Sequence, residues 1–132
     1  MIPLRNKELV EEVVGSWPDF HDATLDELRL SRGEDGTSML TIGVQLFDTK
    51  KYKDHTGHFV QERACFVELR FSDIALQQLQ LVTFPDVLFS LRVDRLDLDA
   101  STERLLRLEL QSAIEGTLVI VCAEAWVERV LQ

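Results

Sequence analysis

From Leu28 onward the apolar residues recur at every second position, and this alternation constrains the chain more than any other feature. Leu28 and Leu30 begin it; Leu40, Ile42, Val44 and Leu46 follow on one face of a second run. Cys65, Val67, Leu69 and Phe71 make a third, Phe89, Leu91 and Val93 a fourth, and Leu106, Leu108 and Leu110 a fifth. A period of two puts these side chains on one face of a strand and leaves the polar ones on the other. The runs are separated by turn formers: Gly33-Glu34-Asp35-Gly36, Pro85-Asp86 and Glu115-Gly116. The expected fold is α+β and mainly β. It is an antiparallel meander of about seven or eight strands, open or folded over as a sandwich, with one N-terminal helix packed on it.

Two segments depart from the alternation. Residues 6–15 carry Leu9, Val10, Val13 and Val14 at helical spacing, with Asn6 placed as N-cap and Gly15 as the left-handed stop. So short a helix is marginal alone and must pack its apolar face on something. Leu118–Ala123 is apolar on both sides, which suits a strand covered on both faces, and the helix is the one cover in view. Trp126, Val127, Val130 and Leu131 continue that last strand. Between helix and sheet, Trp17 and Phe20 bracket a polar loop as two aromatic anchors. Residues 48–58 are polar and basic and read as an exposed loop, while Ile74–Leu81 fits strand or helix.

With 132 residues, the chain has the length of one domain with one core, and domain 1–132 is the expectation. Hydrophobic residues make up 45% and charged residues 28%, which excludes a disordered chain. The net charge is −9, from 23 acids against 14 bases, and such a field repels phosphate backbones, so no nucleic-acid partner is expected. The acids concentrate in two places: Glu8 to Glu27 near the start, and Asp94 to Glu128 near the end. No apolar run reaches the length of a membrane span, and the opening residues lack the pattern of a secretion signal. Cys65 and Cys122 read as buried free thiols. The expected place is the cytoplasm.

Few groups are arranged for chemistry. His21 and Asp22 are adjacent, but no serine or cysteine is spaced to act with them as a nucleophile. The expectation is that Asp22 bonds backbone amides of its own turn and His21 a nearby carbonyl. His55 and His58 form a His-x-x-His pair that lacks the third protein ligand a zinc site needs, unless Asp48, Asp54 or His21 supplies it. Asp94, Asp97 and Asp99 lack the glycine and terminal glutamate of a calcium loop. No cofactor motif is present.

The segment Gly15-Ser16-Trp17-Pro18-Asp19-Phe20-His21-Asp22-Ala23, running straight into a strand, resembles the opening of the immunity protein 50 family. Phe71-Ser72-Asp73-Ile74 is similar to a bend in that family, and Val121-Cys122-Ala123 to its apolar closing strand. The resemblance implies a bacterial cytoplasmic antidote, itself no enzyme, that binds and neutralises a polymorphic toxin. Charge adds a separate expectation. Many such toxins are nucleases, basic around the active site, and an acidic inhibitor is steered onto them. The contact residues expected on that ground are Asp19, Asp22, Asp26, Glu27, Asp94, Asp97 and Asp99.

Two other readings are carried forward. One is a non-catalytic scaffold, monomer or homodimer, paired through an edge strand such as residues 37–48. The other is a small metal-dependent hydrolase built on His21, Asp22, His55 and His58.

Overall fold

The structure is a computed structural model that describes residues 2–53, 55–81, 83–96 and 105–132. One helix, α1 (Glu8–Val14), precedes eight strands: β1 (Thr24–Arg32), β2 (Ser38–Lys53), β3 (Phe59–Ser72) and β4 (Ala75–Gln80), then β5 (Asp86–Arg95), β6 (Leu106–Ser112), β7 (Thr117–Cys122) and β8 (Glu124–Leu131). They form a single antiparallel sheet in the order β4-β7-β6-β5-β1-β2-β3-β8. The mainly β architecture with one helix is therefore as expected. Asp54, Asp97 and Asp99 lie outside the described residues. No helix among the described residues is long and apolar enough to cross a membrane.

The sheet is two meanders, β1-β2-β3 and β5-β6-β7, each ended by a strand that crosses over from the other. β4 leaves β3 to pair with β7, and β8 leaves β7 to pair with β3. The crossings lie together: Ser72 O accepts from Ala123 N (3.1 Å), and Ser38 O accepts from Asp73 N (2.8 Å). The halves join through a short ladder, Thr24↔Val87 and Leu25↔Asp86. Ile42, Val44, Leu69 and Phe71 of one half, and Leu88, Leu108, Leu110 and Ile120 of the other, are all fully buried in one core cluster. Among the described residues the only other element is a 7-residue helix, so each half must be buried chiefly by the other, as in a sandwich.

The helix does not cover β7, contrary to the sequence expectation. It packs on β8 and β3 and drives Val10 into the shared core. On the outward side of β7, the ladder neighbours of Val119 are Glu109 and Gln78, whose long side chains stand in for a second layer. Asn6 is not the N-cap either. Lys7 holds that position without a side-chain bond. The chain has just paired with β8, where Ala125 O accepts from Arg5 N (3.1 Å) and Arg5 O accepts from Val127 N (2.9 Å). Asn6, at φ 63°, makes the turn from that bridge into the helix. Gly15 does end it, at φ 99°.

Three strand-level expectations also change. Residues 48–53 are strand, because backbone pairing such as Asp48↔Glu62 and Lys53↔Phe59 continues beyond the apolar alternation, while 55–58 form the expected exposed turn. The segment 37–48 falls largely within β2, which lies between β1 and β3, so it is no edge; the edges are β4 and β8. A register shift between Leu88 and Ser90 turns Phe89 outward, 55% exposed, while Leu88, Leu91 and Val93 face the core. Ile74–Leu81 resolves as strand β4.

Candidate functional site

The loop between α1 and β1 is fastened at both ends and strained in the middle. Phe20 (φ 64°) and Asp22 (φ 67°) occupy the left-handed region that non-glycine residues rarely adopt. What holds them is local. Phe20 is buried in the core and meets Trp17 edge-to-face at 5.4 Å. Asp19 Oδ1 accepts from His21 N (2.9 Å), closing the turn. The turn-closing carboxylate is thus Asp19 and not Asp22, whose Oδ2 instead stands 3.2 Å from His21 Nδ1.

The loop is stitched to the start of β5. Leu88 O accepts from Asp22 N (3.0 Å), and Ala23 O accepts from Leu88 N (2.8 Å). That register brings the His21 ring edge-to-face onto Phe89, 5.6 Å between centroids. It also forms an open cavity of about 450 Å³ walled by Trp17, Pro18, His21 and Phe89, with Asp19, Arg92 and Asp94 as its charged groups. Arg92 lies 3.8 Å from Glu109 on β6. Asp19 and Asp94, one from each acidic end of the chain, therefore line a single concave surface beside two aromatic rings. Neither makes an ion pair among the described residues.

The other expected contact residues disperse. Asp22 sits next to the cavity, paired with His21. Asp26 is exposed at an irregularity in β1, where the register shifts between Leu25 and Glu27. Glu27 belongs to a different cluster, on the outward face of β1, β2, β3 and β8. There Glu68, its side chain only 3% exposed, accepts from Arg70 (3.1 Å) and from Arg129 Nε (2.8 Å). Arg70 also reaches Glu128 (3.5 Å), and Arg29 lies 3.6 Å from Glu27. Gly43 stands between Glu27 and Glu68 in the ladders and carries no side chain to part them from the Phe66 ring. Sequence reading missed this network, and the one signal for it was an acid–base alternation at Glu68 and Arg70.

Nothing at these sites assembles a metal centre or a nucleophile. Among the described residues no three His, Cys, Asp or Glu side chains gather where an ion could be held, so His21, Asp22, His55 and His58 do not converge. His55 and His58 lie exposed at the turn between β2 and β3, with His58 Nδ1 2.8 Å from Thr56 Oγ1. Both cysteines are buried and free. Burial, with the charge of Asp73, pushes the Cys122 thiol up to about 12, and burial raises Cys65 as well. Both therefore stay protonated thiols near neutral pH.

Comparison with protein families, curated proteins and solved structures finds no match to this chain.

Proposed function

We propose that this chain is a non-enzymatic immunity protein that binds a basic bacterial toxin through the cavity between the α1–β1 loop and β5. The observation that carries the reading is the pairing of unneutralised Asp19 and Asp94 with the exposed Phe89 ring and the partly buried Trp17 ring. Aromatic side chains ringed by charge are the usual anchors of protein interfaces. Acids beside aromatic faces suit an arginine or lysine side chain, which gains both an ion pair and a cation–π contact. The resemblance of Gly15–Ala23 to the immunity protein 50 family points the same way, because that segment builds one wall of the cavity.

The net charge of −9 adds long-range attraction for a basic partner. The shared core of the two half-sheets gives the cavity a rigid base, so little ordering would be needed on binding. Bacteria expressing the toxin encoded beside this gene should survive when the chain is co-expressed, and the two proteins should co-purify. Phe89→Ala should weaken that complex about tenfold or more, as the loss of a central aromatic anchor does. Asp19→Asn with Asp94→Asn should slow association and flatten its dependence on salt. Continued killing, or a complex indifferent to all three substitutions, would reject the reading.

A further inference from the structure

We infer that β4 is a self-pairing edge through which two copies of this chain join into one continuous sheet. The inference is independent of the toxin-binding reading, since β4 pairs only with β7 in the sheet, whereas the cavity is built on β5. Among the described residues no strand pairs with the free side of β4, which leaves a row of backbone donors and acceptors open. Its Leu76 and Leu79 are 47% and 45% exposed. Both oppose core residues of β7, Ile120 and Leu118, and so lie on the inward face at the rim of the core.

Edge strands are normally guarded by charge, proline or a covering segment. The opposite edge has such guards: β8 carries Glu124, Glu128 and Arg129 and is bridged by Arg5. β4 has none of them. No charged residue occurs from Ile74 to Pro85. In a chain of net charge −9, this is an edge where two copies meet without opposing like charges. The comparable neutral stretch, Gly36 to Phe47, is mostly in β2 and is paired on both sides.

The sequence of β4 also fits itself. Leu76-Gln77-Gln78-Leu79 reads the same in both directions and lies at the middle of the strand. An antiparallel pair about a two-fold axis between Gln77 and Gln78 sets Leu76 opposite the partner's Leu79, and Gln77 opposite the partner's Gln78. Every residue of β4 then has a partner. The irregularity between Leu76 and Gln78 keeps both leucines on one face, so the leucine pairs of the two copies extend the cores of both. Such an isologous contact closes at two copies. A single short strand pair is a small interface, so the dimer is expected to be a weak one.

Sedimentation over a wide concentration series should show a reversible monomer–dimer equilibrium. Leu79→Lys should weaken it on the order of tenfold or more, since each substitution acts twice across the axis. The register has its own test. Under mild oxidation, Leu76→Cys mixed with Leu79→Cys should give a cross-linked mixed dimer. Either variant alone should not, because like positions would lie about 10 Å apart, beyond disulfide reach. Cys65 and Cys122 are buried and stay out of the reaction. Circular dichroism on each half-exposed variant distinguishes a lost dimer from a lost fold. A monomer at every concentration would overturn the inference, as would cross-linking no greater in the mixture than in either variant alone.

Discussion

On the outward face of β1, β2, β3 and β8, Glu27, Glu68 and Glu128 are matched by Arg29, Arg70 and Arg129, whereas around the Trp17 cavity Asp19 and Asp94 have no ionic partner among the described residues. The first region has spent its charge on itself. Glu68 is buried and satisfied by two guanidinium groups, an arrangement that holds strands together and attracts nothing. The second leaves negative charge directed at solvent beside aromatic surface. Net charge alone does not separate these cases; the register of the strands does.

The difference predicts opposite mutational behaviour. Glu68→Ala should cost about 2–4 kcal/mol of unfolding free energy, because it leaves Arg70 and Arg129 facing each other across a buried gap. Both guanidiniums are partly solvated, which keeps the loss below that of a fully buried charge. Asp94→Asn should lie within about 0.5 kcal/mol of the parent, as exposed substitutions generally do. Urea denaturation of both variants measures the contrast. Similar losses would mean that Asp94 is part of the framework after all.

A smaller effect sharpens the structural half of the comparison. A Cβ on Gly43 would run into the Phe66 ring and lie 2.9 Å from Glu27 Cβ. Gly43→Ala should therefore destabilise by about 1–3 kcal/mol through overpacking on a strand paired on both sides. Phe66→Leu in the same chain should return part of that loss, since it removes the nearer obstacle. If Gly43→Ala proves neutral, the packing around the ion network is looser than these distances require.

Much of this architecture was legible in the sequence. Alternation at Leu40–Leu46, Cys65–Phe71 and Leu106–Leu110 placed the right residues in the core, and Gly15 marked the helix end. The misreadings share one physical cause: pairing between distant segments leaves little trace in local pattern. Helix α1 went to β8 because Arg5 bridges Trp126, a contact between the two ends of the chain. Phe89 was placed with the core because a one-residue register shift is invisible to alternation, yet that shift turns its ring into the cavity wall. Of the expected contact residues, Asp19 and Asp94 line one cavity, while Glu27 pairs with Arg29 on β1, across β2 from the Glu68 network of β3 and β8.

The smallest expected effect concerns a carboxylate that belongs to neither region. Asp35, in the turn between β1 and β2, accepts from Thr37 N (3.0 Å) and from Thr37 Oγ1 (2.6 Å). These bonds favour the ionised form and hold its pKa below 3.8, although the group is fully exposed. A pKa depressed by folding means that the turn contributes its stability above the unfolded value and loses it as pH falls through the lowered one. Thr37→Val removes one bond and should lower the denaturation midpoint slightly at neutral pH. The gap between variant and parent should then close as the pH is brought down through the lowered pKa of Asp35. An equal gap at both extremes would show that Thr37 acts through strand packing and not through Asp35. At neutral pH the loss for Glu68→Ala should be far larger than that for Thr37→Val, because a buried, doubly bonded carboxylate ties β3 to β8 where Asp35 ties one turn.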